Sequence, residues 1–256
     1  MGSIHAGGQA LRVAALMAGY GDTSVFRDVS FSVCPGETVA VVGPSGCGKS
    51  TLLLAVAGLH PYSAGAVTLG KETVVGGDRR VGLIFQQYGL FPWFTVEENV
   101  ALGLRLHAVP KAEREARVAD ELSRVGLLEY RRRLPSALSS GQQQRVAIAR
   151  SFALNPRVLL MDEPFSALDA LARESLQDLL LTLLASRTVA TVLVTHSIEE
   201  AVFLASRVYV MSDASDSGFA ARVEAPQAAS PDVRRDPRYF AACSEVRGCL
   251  EALHER

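Results

Sequence analysis

The chain has 256 residues, and its 26 Lys and Arg against 27 Asp and Glu leave a formal charge of −1. That balance removes the basic excess that nucleic acid or an anionic lipid surface selects. Hydrophobic residues make up 48%, enough for a sizeable core, yet no uninterrupted apolar run nears the roughly 20 residues of a membrane-spanning helix.

Residues 1–10 lack the basic-then-apolar pattern of a secretory signal, and Ala6 stands where a myristoylation motif wants Ser or Thr. Short β-like runs follow at 11–17, 31–33 and 66–69, broken by Gly and Pro. Continuous apolar runs at 39–42, 81–85, 158–161, 192–194 and 208–211 predict strands of a parallel sheet covered on both faces. The stretch 96–153 contains no strand candidate. There Val118, Leu122 and Val125 recur at helical spacing, and Thr95 with Glu98 offers a capping box. The expectation is one mixed α/β domain, with a core of residues 1–90 and 154–215, a helical subdomain at 91–153 and a short extension at 216–256. Residues 213–218, leading into that extension, read as a loop, and 236–255 as a terminal helix. Cys34, Cys47, Cys243 and Cys249 show no metal-ligand pairing, and the last two read as reduced thiols on that helix rather than as a bridge.

Gly43, Pro44, Ser45, Gly46, Cys47, Gly48, Lys49, Ser50 and Thr51 match GxxxxGK[ST], between an apolar strand and an apolar helical stretch. Glycines let the backbone turn its N–H groups toward phosphate oxygens, and the helix N-terminus adds positive partial charge. Lys49 then reaches the β- and γ-phosphates, and the Ser50 hydroxyl is a ligand for Mg²⁺. The run 158–161 ends in Asp162 and Glu163, at the strand end where open α/β sheets place their ligands. Asp162 is positioned to hold Mg²⁺ through water, and Glu163 to orient and polarise an attacking water. A lone histidine is more often structural than catalytic. His196, however, follows the run 191–195 and precedes a predicted capping box from Ser197 to Glu200, which puts it on the same sheet edge.

Just before those acids, Leu138-Ser139-Ser140-Gly141-Gln142 resembles the LSGGQ signature of ABC transporter ATP-binding subunits. The other family elements fall in order: Tyr20 as the adenine-stacking aromatic, Gln86 as the Q-loop, Ser166-Ala167-Leu168-Asp169 as the D-loop, and His196 as the switch. The resemblance spans almost the whole chain. It implies a P-loop NTPase core with a mixed sheet, an N-terminal antiparallel β-subdomain and an inserted helical subdomain. It also implies ATP and Mg²⁺ as cofactors, with Ser50, Gln86 and Asp162 at the metal, and Lys49, Gln86, Glu163 and His196 serving hydrolysis. Each ATP would be held between one subunit's P-loop and Ser139, Ser140, Gly141 and Gln142 of a second copy or a related cassette. Ser139 is a good helix cap and Gln142 completes a capping box. Ser140 replaces the signature's first glycine, and its Cβ disfavours positive φ and close phosphate approach, so ATP affinity in trans is expected to be reduced or retuned rather than lost, because Ser139 and Gly141 remain.

Residues 89–104, GLFPWFTVEENVALGL, resemble importer cassettes for nitrate, sulfonate and taurine. The implied partners are integral membrane permease subunits and an extracytoplasmic solute-binding protein, with the chain on the cytoplasmic membrane face and no nucleic acid. Trp93 has two readings, packing against a permease's coupling helix or anchoring the helical insert. Sulfonate and nitrate relatives carry an Arg-Pro-Gly turn after the last core strand, and here Met211 runs into SDASDSGFAAR instead. The stretch Arg234 to Pro237 resembles their C-terminal ends. An exporter cassette shares every catalytic motif. A soluble ABC ATPase without a transport role is disfavoured by the single P-loop and by the lack of a heptad run or basic insert.

Overall fold

The computed structural model describes residues 11–21, 23–212, 218–226 and 230–254. The chain opens with β1 (Leu11–Tyr20) and β2 (Thr23–Val33), an antiparallel pair joined at Gly21. With β4 (Ala64–Leu69) and β5 (Glu72–Thr73) they form a four-stranded antiparallel sheet, ordered β2-β1-β4-β5. The second sheet has six strands, ordered β10-β9-β3-β8-β7-β6. Its members β3 (Thr38–Val42), β6 (Val81–Ile84), β7 (Val158–Asp162), β8 (Ala190–Val194) and β9 (Arg207–Met211) run parallel. Only β10 (Phe219–Glu224) is antiparallel, paired with β9 at the edge.

The parallel strands read as continuous apolar runs because both of their faces are covered. Period-two alternation divides their side chains between two cores. Val39, Val41, Val158, Leu160, Val192 and Val194 pack toward α1 (Lys49–Val56) and the antiparallel sheet. Ala40, Val42, Leu159, Met161 and Leu193 join the core of α4 (Ser140–Ala153), α5 (Ala170–Ala185), α6 (Ile198–Leu204) and α7 (Pro237–His254). Between β6 and β7 the chain is helical: α2 (Val96–Leu106), α3 (Lys111–Arg124) and then α4. Thr95 caps α2 with the predicted box, in which Glu98 N donates to Thr95 Oγ1 and Thr95 N to the Glu98 carboxylate. No helix among the described residues is long and apolar enough to cross a membrane.

The expected mixed α/β architecture is present, with differences in detail. Strand β2 begins at Thr23 rather than Phe31, because only every second or third of its residues is buried and no apolar run marks it. Phe85 lies beyond β6 and is exposed. Strand β10 lies just past the predicted loop, where no element was expected, since among its residues only Val223 is buried. Of the predicted 213–218 loop, residues 213–217 fall outside the described residues, as does the last residue of the predicted 236–255 helix. All four cysteines are free, with Cys243 buried.

Candidate nucleotide site

Strand β3 ends at Val42, and the chain turns through residues 43–48 into α1. Gly46 (φ 84°) and Gly48 (φ 101°) adopt left-handed conformations that L side chains rarely take. A Cβ at Gly48 would fall 2.4 Å from Val25 Cγ1, and one at Gly43 would fall 2.7 Å from the Met211 carbonyl oxygen. Lys49 is buried and its ammonium folds back over the loop, donating to the Gly43 carbonyl at 2.9 Å and the Pro44 carbonyl at 2.8 Å. Gly48 caps α1 without a side-chain bond, and no acid lies in the first turn. The positive end of the helix is therefore left for an anion. Ser45 and Gly46 are exposed at the mouth of this loop, while Cys47 is buried beneath it and burial pushes its thiol pKa up.

Ser50 Oγ donates to Asp162 Oδ1 at 3.1 Å, joining the first turn of α1 to the end of β7. Burial raises the Asp162 pKa; the Ser50 hydrogen bond opposes that, and the neighbouring Glu163 charge adds to it. A hydroxyl beside a carboxylate, next to a glycine loop shaped for phosphates, is the donor set that suits Mg²⁺. Glu163 follows with φ 44°, held in the left-handed region by its N–H bond to the Val194 carbonyl (2.8 Å) and by Ser166 Oγ donating to its own carbonyl (3.0 Å). Its carboxylate oxygen Oε2 accepts from Gln86 Nε2 at 3.1 Å and lies 3.2 Å from His196 Nδ1. Since β6, β7 and β8 are adjacent and parallel, their C-terminal ends bring together Gln86, Glu163 and His196, which are far apart in sequence.

The helix after His196 starts as expected, with Ser197 capping α6 through Glu200 N. The predicted capping box is only half made. The buried Glu200 carboxylate accepts from Thr195 Oγ1 at 2.6 Å instead of returning to the cap, and Arg173 of α5 approaches it at 3.8 Å. Burial is the main cause of its raised pKa. In the signature segment, Ser139 caps α4 with the full box, Gln142 N donating to Ser139 Oγ and Ser139 N to Gln142 Oε1. Neither Ser140 nor Gly141 has a positive φ. The backbone objection to serine at 140 therefore falls away, because the residue occupies the ordinary first position of a helix. Asp169 caps α5 through Ala172 N at 3.0 Å. Ser139, Ser140, Gly141 and Gln142 make no hydrogen bond to the P-loop, Asp162, Glu163 or His196 of their own chain.

The Tyr20 ring is exposed at the end of β1, and its hydroxyl lies 3.5 Å from Thr51 Oγ1. Three contributors near the site were not evident from sequence. His60 contacts the Tyr20 ring. Arg150 of α4 donates to the Tyr88 and Gly89 carbonyls just after Gln86. Asn99 of α2, fully buried, accepts from Phe91 N and donates to the carbonyls of Phe91, Phe94 and Thr95. Asn99 thus anchors the segment around Trp93, whose own ring is 68% exposed and meets Phe91 edge-on. The clue available was a polar residue on the apolar stripe of a helix.

The profile of the ABC transporter family matches residues 26–166, from within β2 through the P-loop, signature and acid pair. The chain belongs to the ABC transporter family. The aliphatic sulfonates import ATP-binding protein SsuB 1 of Xanthomonas axonopodis pv. citri (strain 306) is 48% identical to it over 238 residues, 92% of each chain. The taurine import ATP-binding protein TauB of Escherichia coli O157:H7 is 40% identical over 90% of this chain and 93% of its own. The TauB of Yersinia pestis bv. Antiqua (strain Antiqua) is 46% identical over 79% of both. The resemblance seen in the motifs is borne out: this is an ATP-binding cassette, with the ATP-hydrolysing activity of that family.

Proposed function

We propose that this chain is the ATP-hydrolysing subunit of an importer for a small sulfonate- or taurine-like solute. The observation that carries the catalytic part is the convergence of Gln86, Glu163 and His196 on one carboxylate oxygen, beside the phosphate loop. Lys49, the α1 N-terminus and the loop N–H groups bind the phosphates, and Tyr20 stacks on the adenine. Ser50 and Asp162, with Gln86 at the metal's edge, would hold Mg²⁺, which supplies charge neutralisation at the β- and γ-phosphates. Glu163 orients a water whose oxygen attacks the γ-phosphorus as the bond to the bridging oxygen breaks. The carboxylate takes the water's proton, ADP leaves, and His196 hydrogen-bonds the γ-phosphate.

Among the described residues, the capped α4 N-terminus makes no hydrogen bond to the phosphate loop, which supports binding by Ser139, Ser140, Gly141 and Gln142 to ATP on a second copy or related cassette. Asp169, capping α5 after the acid pair, belongs to the same interface. The partners proposed are integral membrane permease subunits at the cytoplasmic face, fed by an extracytoplasmic solute-binding protein. An apolar groove lined by Phe85, Phe91, Leu102 and Leu106 follows the Gln86 segment, with Trp93 exposed nearby. It suits the docking of the permease and favours that reading of Trp93. The import assignment and the solute class rest on the relatives' names.

Glu163→Gln keeps side-chain volume and removes the base. Phosphate release is expected to fall about 10²- to 10⁴-fold while Mg-ATP drives a stable dimer on size exclusion. A loss under tenfold, or a variant that stays monomeric with Mg-ATP, overturns the assignment.

A further inference from the structure

Tyr20 projects from the end of β1 with 58% of its surface exposed. A ring so placed is a poor platform unless something fixes its plane, since a freely rotating ring loses its rotamer entropy on each binding event. Two contacts restrain it, and both come from α1 or the turn after it. The Tyr20 hydroxyl lies 3.5 Å from Thr51 Oγ1 in the first turn of α1. At the other end of that helix the chain reverses at Gly58 (φ 70°), with Leu59 N and His60 N both bonded to the Leu54 carbonyl. This turn admits no larger residue, since a Cβ at Gly58 would fall 2.7 Å from Gly76 N. It delivers His60 against the Tyr20 ring, with centroids 4.6 Å apart and planes tilted 51°. His60 Nε2 is also 3.1 Å from the Gly19 carbonyl, so this nitrogen carries the proton and holds the backbone beside Tyr20.

From this geometry we infer that His60 is a positioning residue for the nucleobase: it fixes the plane of Tyr20 and ties it to the helix whose N-terminus holds the phosphates. The inference rests on Tyr20 being the base platform. It makes α1 a ruler between the two ends of the nucleotide, with the phosphate loop before it and the base support after it.

The test compares a ligand that has a base with one that lacks it. In wild type, His60→Ala, His60→Phe and Tyr20→Ala, the KM for ATP, the kcat and the inhibition constant of inorganic tripolyphosphate are measured. His60→Ala is expected to raise the KM for ATP about 2- to 10-fold, with kcat and tripolyphosphate inhibition unchanged. His60→Phe, which keeps a ring and loses the Nε2 donor, is expected to recover part of the loss and guards against a folding defect in the alanine variant. An unchanged KM in His60→Ala alongside a raised KM in Tyr20→Ala overturns the inference and leaves the platform standing. Equal losses for ATP and tripolyphosphate also overturn it, because they report a damaged phosphate loop. An unchanged KM in Tyr20→Ala refutes the platform itself, and the inference with it.

Discussion

Glu121 of α3 and Arg187, in the turn after α5, form an ion pair across 66 residues of sequence. Arg187 Nη2 reaches both carboxylate oxygens, at 2.9 and 2.7 Å, and its guanidinium lies 4.1 Å from the centre of the Phe152 ring on α4. Removing one partner of a buried pair costs ~3–5 kcal/mol, chiefly by stranding the other charge. The two side chains keep 10% and 16% of their exposure, so the lower end applies, about 3 kcal/mol for Glu121→Leu or Arg187→Met. For a chain of this size that is a fall in Tm of about 6–12 °C. The double variant strands no charge; it loses the contact with Phe152, worth about 0.5–2 kcal/mol, and is expected to be more stable than either single variant. Urea unfolding of all four proteins at fixed salt gives the coupling energy, expected to be at least about 2 kcal/mol. Additivity within about 0.5 kcal/mol would show that the pair contributes nothing beyond its parts and refute the reasoning.

Gly48→Ala forces a left-handed residue and a clash with Val25, so urea unfolding is expected to show a loss of at least about 2 kcal/mol together with lost ATP binding. Glu200 has a raised pKa in the folded chain. The folded state therefore binds the extra proton, and stability falls as pH climbs from the ordinary glutamate range through the raised value. Glu200→Gln is expected to flatten that slope; an unchanged pH profile by denaturant titration contradicts it. Ser140→Gly relieves no backbone strain, so its stability is expected to match wild type or fall by up to about 0.5 kcal/mol, and a clear gain in thermal melting would show that Ser140 is strained.

The parts of the site legible in the sequence are those encoded by local backbone chemistry. The glycine loop, the acids at the end of β7 and the caps at Thr95 and Ser139 need only neighbours within a few positions. Contributions that depend on distant packing were not legible. Asn99 stands in the sequence only as a polar residue on the apolar stripe of α2, and its role shows once Phe91 and Phe94 fold their carbonyls onto it. Glu200 sits at the right spacing for a capping box, yet the Thr195 hydroxyl one turn back competes successfully for its carboxylate. Strand β10 escaped notice because an edge strand with one buried side chain has no apolar run to announce it. The φ of Ser140 was not legible for a related reason, since a motif position does not reveal its backbone conformation.

Glu163 Oε2 stands between two neighbours of different provenance, Gln86 Nε2, which donates to it, and His196 Nδ1 at 3.2 Å. Gln86 hangs from the edge strand β6 and leads into the segment that Arg150 holds. His196 heads α6, and α7 grips that helix through Tyr239 Oη, which donates to the Glu199 carbonyl at 3.2 Å. The helical insert on one side and the C-terminal helix on the other therefore meet, through Gln86 and His196, at a single atom. That atom is a common meeting point: a displacement of either element changes the surroundings of the same carboxylate.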